Sequence, residues 1–362
     1  MKNNNIYLDV NAIQTLPPSN INRDDTGSPK TAQYGGVRRA RVSSQSWKRA
    51  IRSYFLEDSK NSNVGIRSYK IPEYIGSKIV KIDGNISEED AIKMANDLLK
   101  LGGLKTKDNK TTALFFMGNT QAEKLARAAV DGVKDKNLIK EMLKNDPAVD
   151  IALFGRMVAD DPSLNEDASC QVAHAISTHS VETEFDFFTA VDDLQEEDNA
   201  GAGMLGTIEY NSSTLYRYAN VAIHEFYKQL SDKEETINAI KLFVEAFAKS
   251  LPTGKVNTFA NTTIPSFIMV SLREDRPVNL VSAFENPVKA YKNQGFIKES
   301  VEKLLKEYKK AEKFVEEPIA TFCISLDDFE LIEGVKKEDN FKELLKELGD
   351  KLSEIIPDEL GE

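Results

Sequence analysis

The segment from Thr26 to Leu56 holds seven cations, Lys30, Arg38, Arg39, Arg41, Lys48, Arg49 and Arg52, and no Asp or Glu. Its core reads Arg38-Arg39-Ala40-Arg41-Val42-Ser43-Ser44-Gln45-Ser46-Trp47-Lys48-Arg49-Ala50-Ile51-Arg52. Ser43 or Ser44 supplies a helix N-cap, and Trp47, Ala50, Ile51, Tyr54 and Phe55 recur at the spacing of one apolar helix face. Lys48 and Arg52 then lie one turn apart on another face, with Arg49 beside them. A helix start presents unpaired N–H groups and a partial positive charge, and the serine hydroxyls add donors. Such a surface grips a phosphodiester backbone by charge-assisted hydrogen bonds without reading bases. The competing reading is an amphipathic helix with its cations in water. The acid-free flanks favour the phosphate site.

The loop before this segment, Asn20 to Lys30, permits two readings. Arg23 and Lys30 contact the same polyanion in one. In the other, Asp24 or Asp25 holds a divalent cation and assists backbone cleavage. Adjacent acids in a turn are usually solvated, so the second is the minority reading. Cys170, His174 and His179 suggest zinc, but no fourth ligand is evident, and buried, hydrogen-bonded imidazoles are expected instead. No P-loop, Gly-x-Ser-x-Gly elbow or nucleotide fingerprint occurs, so neither a metal nor another cofactor is expected.

The whole chain, 362 residues, carries a net charge of −11. The Thr26–Leu56 patch is +7, which leaves −18 for the rest, and Asp327–Glu362 alone is −8. A local basic patch still binds polyanions, because charges act within about one Debye length of roughly 8 Å. The start, MKNNNIYLDV, has no apolar signal core, and no uncharged apolar run approaches the roughly 20 residues of a membrane span. Two cysteines suit a reducing compartment, so a soluble cytoplasmic protein without membrane contact is expected.

These residues need elements to position them. Ile6–Ile13 alternates as a first strand, Gln14–Gly36 reads as a long polar loop, and Val37–Val42 as a short strand. Helices are predicted after Ser87 through Leu101, after a Thr120/Glu123 capping box, over Lys136–Lys144, and after Ser231 with Glu234 up to Pro252. Strands are predicted over Val181–Val191, Leu215–Ile223, Pro265–Leu272 and Ile319–Leu326, with charged helices at Lys298–Phe314 and Glu338–Ile356. The pattern is α+β, a mixed-sheet domain interrupted by helices.

Several collinear blocks carry a resemblance. They are Leu16-Pro17-Pro18-Ser19-Asn20-Ile21-Asn22-Arg23-Asp24-Asp25, Tyr34-Gly35-Gly36-Val37-Arg38-Arg39-Ala40-Arg41-Val42-Ser43-Ser44-Gln45-Ser46, and Gly155-Arg156-Met157. Further on come Ala173-His174-Ala175-Ile176-Ser177-Thr178-His179, Phe188-Thr189-Ala190-Val191-Asp192-Asp193-Leu194-Gln195 and Leu215-Tyr216-Arg217-Tyr218-Ala219-Asn220. Together they resemble the CasC family, the CRISPR RNA-binding backbone subunit of the type I-E Cascade surveillance complex. The resemblance spans nearly the whole chain and weakens over 56–144 and after about 287.

That resemblance implies an RRM-like (ferredoxin-like) palm over 1–60 and 169–362, inserted helical fingers over 61–168, and a β-hairpin thumb at 192–211. It implies several copies stacked along one CRISPR RNA, presenting it to target DNA beside other Cascade subunits, with cutting left to a separate nuclease. Guide contacts carry over to Arg23, Lys30, Arg38, Arg39, Arg41, Ser43, Ser44, Gln45, Lys48, Arg49 and Arg52, to the apolar Met157, and to Met204 and Leu205 near the thumb tip. Target-DNA contacts carry over to Lys136, Lys140 and Lys144, spaced along one helix face, and to Lys289 and Lys292. Val37 stands where some relatives carry Lys. The related type III backbone subunits cut RNA with a loop Asp, which keeps Asp24 and Asp25 in view as an enzymatic alternative.

Overall fold

Both faces of the first strand are covered. In the computed structural model, which describes residues 5–57, 63–190, 204–290 and 294–358, that strand runs Tyr7–Ser19. It extends six residues past the predicted Ile13, taking in the start of what reads as loop. Leu8 through Gln14 are all buried, so Asp9 and Asn11 are interior polar residues rather than a solvent face. Their partners explain this. Tyr218 donates to Asp9 at 2.7 Å, Tyr216 donates to Asn11 at 2.8 Å, and the Arg273 guanidinium donates to Asp9 at 3.1 Å.

The chain divides into two units. The first comprises residues 1–51, 172–220 and 244–348. Among the described residues its strands lie in the order Lys336–Lys337, Ala320–Ser325, Phe267–Arg273, Tyr7–Ser19, Met204–Ala222, Ala175–Ser177, Val37–Val42 and Thr31–Tyr34. Tyr7–Ser19 pairs antiparallel with Phe267–Arg273, Val10 opposite Val270, and Val270 lies opposite Phe322 on the next strand. One face, with Ile13, Phe267, Met269 and Cys323, packs on the helix Ile297–Ala311 through Val301, Leu304, Leu305 and Tyr308. A second cluster joins Leu16, Ile21, Ala40, Val42, Trp47, Val181 and Leu215. Trp47 is locked there by the buried Arg217, whose guanidinium lies 3.7 Å from its ring and 4.3 Å from that of Phe247.

The second unit comprises residues 52–171, 221–243 and 349–362. Four helices, Ile71–Ile82, Glu88–Leu101, Asn119–Val130 and Lys136–Lys144, enclose one apolar core that includes Ile75, Leu99, Leu125 and Ile139. Ser87 caps the second of these by accepting from the Asp90 amide, as its sequence spacing predicts. The third is capped two residues before the Thr120/Glu123 expectation: Gln121 Oε1 accepts from the Gly118 amide. Likewise the helix Lys233–Lys249 is capped by Asp232, which accepts from the Glu235 amide, while Ser231 ends the preceding helix in a left-handed turn. Among the described residues no helix is long and apolar enough to cross a membrane. The architecture is α+β.

Candidate nucleic-acid interface

The first-unit surface is assembled by three short connections. The strands Thr31–Tyr34 and Val37–Val42 form a hairpin through Gly35-Gly36, with Tyr34 opposite Val37. The loop 20–30 is closed on itself by the Lys30 amide, which donates to the Asn22 carbonyl at 2.9 Å, and tied to that hairpin by the Arg41 amide, which donates to the Lys30 carbonyl at 2.9 Å. Asn22 also accepts from the Ser43 amide at 2.8 Å, fixing the entry into the helix Ser44–Glu57. Ser43 Oγ in turn accepts from the Ser46 amide at 3.3 Å, so Ser43 is the cap.

The helix buries Trp47, Ala50, Ile51 and Phe55, the face legible in the sequence, and exposes Gln45 and Arg49. Ser44 and Lys48 are half-buried beside them. Arg23 and Arg38 are exposed, and Lys30 and Arg41 are half-buried. Arg41 donates to the Thr31 carbonyl at 3.2 Å and to His174 Nδ1 at 3.0 Å. Desolvation, with Arg41 and Lys30 nearby, holds the His174 imidazole below its ordinary value. These connections bring Arg23, Lys30, Arg41 and the Ser43 cap into one neighbourhood.

Two of the expected contacts are spent on the fold. Arg39 is fully buried. It donates to the carbonyls of Tyr34 at 3.2 Å, Ser177 at 3.0 Å and Phe284 at 2.7 Å, which leaves no face for a phosphate. Arg52 donates to Asp150 at 2.9 Å and to the Gly65 carbonyl at 3.2 Å, and lies over the Phe116 ring. Asp150 is itself buried, and its burial pushes the carboxyl up against the downward pull of Arg52.

Asp24 is turned inward on its own loop. One carboxylate oxygen accepts from the Thr26 hydroxyl at 2.7 Å and from the Thr26 and Ser28 amides at 3.0 Å each. Those bonds, the Thr26 hydroxyl first, hold it below the ordinary carboxylate value. Among the described residues no group of three or more His, Cys, Asp or Glu is placed to hold a metal ion. His179 is a buried imidazole of the expected kind: its Nδ1 donates to the Ser180 carbonyl at 2.8 Å, its Nε2 accepts from the Thr214 amide at 3.0 Å, and its ring stacks on Phe296. His174, by contrast, is exposed, so the expectation of burial fails there.

Other expected contacts fall on other segments of the chain. In the second unit, Met157 is 85% exposed. There too, Lys136 and Lys144 are exposed on their helix, while Lys140 is ion-paired to Asp161 at 2.7 Å. In the first unit Lys289 is exposed and Leu205 is 63% exposed. Met204 opens its strand opposite Ala190. Lys292, and residues 192–203 of the expected thumb, lie outside the described residues.

Residues 8–350 match the family described as CT1975-like protein. The chain belongs to that family. This CT1975-like protein is also similar in structure to a chain of a "CRISPR RNA-guided surveillance complex, pre-nicking", at a TM-score of 0.82 and 29% identity over 96% of this chain and 100% of that one. A chain of a second "CRISPR RNA-guided surveillance complex" is similar at a TM-score of 0.65 and 27% identity, over 95% and 99%. No curated protein matches.

One exposed apolar face of the chain is not legible in its sequence. The strands Glu184–Ala190 and Met204–Ala222 pair antiparallel, with Phe185 opposite Glu209, Phe187 opposite Thr207 and Thr189 opposite Leu205. Phe185 and Phe187, each 65% exposed, therefore share a face with the exposed Leu205. The alternation of Phe185 and Phe187 with Asp186 carries that signal, but a run of aromatics reads as core.

Proposed function

We propose that this chain binds a CRISPR guide RNA through its sugar-phosphate backbone and stacks in several copies along it as the backbone of a type I-E surveillance complex. In this reading the first unit is an RRM-like palm, the helical unit supplies fingers, and the hairpin that begins at Glu184 is the thumb reaching a neighbouring copy. Arg23, Lys30, Arg38, Arg41 and Arg49 hold phosphates, and Ser43 holds the helix start that faces them. Base pairing is left to the guide, which is presented to target DNA, and the chain itself cuts nothing. The observation that carries this reading is similarity along essentially the full length to a chain of a CRISPR RNA-guided surveillance complex. Arg39 leaves the list of contacts because its donors are spent internally, and Arg52 leaves it because the Asp150 carboxylate already neutralises its charge.

The test is purification of the chain from cells carrying a CRISPR locus, followed by sequencing of what co-purifies. Locus-derived RNA should dominate, and its binding to the chain should weaken steeply with salt. A preparation free of RNA, with no salt-dependent binding, would refute the proposal.

A further inference from the structure

Gly254 stands so close to the loop 20–30 that a Cβ there would lie 2.3 Å from the Ile21 carbonyl oxygen. The approach starts inside the protein, where Leu251 packs on the cluster of Ile21, Trp47 and Val42. The chain then makes one turn, Val256–Phe259, bracketed by Lys255 at φ +52° and Ala260 at φ +45°. Phe259 carries this turn to the base of the hairpin, its ring centroid 5.8 Å from that of Tyr210. Asn20 closes the circuit by donating to the carbonyls of Gly27 at 3.0 Å and Glu209 at 2.8 Å. The loop 20–30, the hairpin base and the 253–260 segment are therefore one continuous rim.

The Lys255 carbonyl accepts from the Thr258 and Phe259 amides at 3.0 and 3.1 Å, so the turn uses its backbone and not its ammonium. A left-handed backbone is sterically unfavourable for any residue with a Cβ, and glycine or asparagine is the usual occupant. Strain of this kind persists where the surroundings impose it, and it clusters at functional sites. Among the described residues no carboxylate lies within ion-pair distance of the Lys255 ammonium. Asn257 and Thr258, both exposed, follow it, and Asp24 on the adjoining loop has one carboxylate oxygen committed to its own Thr26 and Ser28. We propose that Lys255, with the Asn257 amide and the Thr258 hydroxyl, is a further part of the surface that holds the RNA backbone, beside Arg23. The proposal rests on the guide-RNA reading above and adds a segment to it that carries no basic run in the sequence.

The experiment measures binding of the full-length chain to a mixed-sequence single-stranded RNA over a series of salt concentrations. Lys255→Gly removes the charge and relaxes the backbone at once. It should keep or raise the melting temperature while flattening the slope of log K against log salt by about 0.7, the effect of one lost phosphate contact. Lys255→Ala should flatten it equally, and Lys306→Ala, on the exposed side of the helix Ile297–Ala311, should leave it alone. If Arg49→Ala flattens the slope and Lys255→Gly keeps the wild-type value, this assignment is wrong and the function stands. If the wild-type chain binds no RNA at all, the function is wrong and the assignment falls with it.

Discussion

Arg39 Nη2 donates to the Phe284 carbonyl at 2.7 Å, across 245 residues of sequence, while its neighbour Arg38 is exposed. Adjacent strand residues point to opposite faces, so two arginines that look alike in sequence have opposite fates. Arg39→Ala should strip donors from buried carbonyls at Ser177 and Phe284 and destabilise the chain by about 3 kcal/mol. Arg38→Ala should change stability by less than about 0.5 kcal/mol and weaken RNA binding instead. Urea unfolding beside an RNA titration separates the two. A destabilised Arg38→Ala with intact binding would reverse the assignment.

What was legible in the sequence was whatever local spacing encodes. The buried Trp47, Ala50, Ile51 and Phe55 follow from helical periodicity, and the extent of the Lys136–Lys144 helix follows from its pattern and flanks. The cation-rich segment around a serine cap is likewise a local signal. Its division into exposed Arg38 and Arg49 and internally bound Arg39 and Arg52 was not legible. That division depends on Ser177, Phe284 and Asp150, which only the tertiary fold brings near. The first strand was legible over Ile6–Ile13, but the burial of its polar face was not, for a related reason. Its polar residues Asp9, Asn11 and Gln14 are satisfied by Tyr218, Tyr216, Arg273 and Thr263, so the usual link between polarity and exposure does not hold.

The hairpin turn gives a steric prediction. A Cβ on Gly35 would lie 1.7 Å from the Glu285 carbonyl oxygen, whereas one on Gly36 would meet nothing within 4 Å, and both residues have positive φ. Gly36→Ala should therefore cost only backbone strain, about 1 kcal/mol. Gly35→Ala must also displace the 284–288 segment that Arg39 holds, and its loss should be several-fold larger. Equal melting temperatures for the two variants would show that the hairpin does not sit against that segment.

Asp9 provides a pH signature. Burial raises its carboxyl to about 6 from the ordinary 3.8, against the downward pull of the Tyr218 hydroxyl, the Val278 amide and Arg273. Because the folded value lies above the unfolded one, the contribution is fully present below about pH 3.8 and is lost as pH rises through about 6. The difference, about two pH units, corresponds to about 3 kcal/mol at most. Asp9→Asn cannot titrate, so its stability should lack this decline. Urea unfolding of both proteins at several pH values between 4.5 and 7 checks it, and parallel curves would contradict it.

The hairpin offers the last test, because its apolar residues have nothing to do for the isolated chain. Phe185, Phe187 and Leu205 share one face and are each more than half exposed. An apolar stripe of this kind gains only when another surface covers it. Replacing both phenylalanines by serine removes little buried area, so stability should change by less than about 0.5 kcal/mol per site. Binding of one chain to a short RNA should be unchanged, since Arg23, Arg38 and Arg49 are untouched. If the stripe joins neighbouring copies, assemblies on a long RNA should become shorter, as measured by sedimentation or by electron microscopy of filament lengths. Assemblies of wild-type length from the double variant would mean that copies are held together elsewhere.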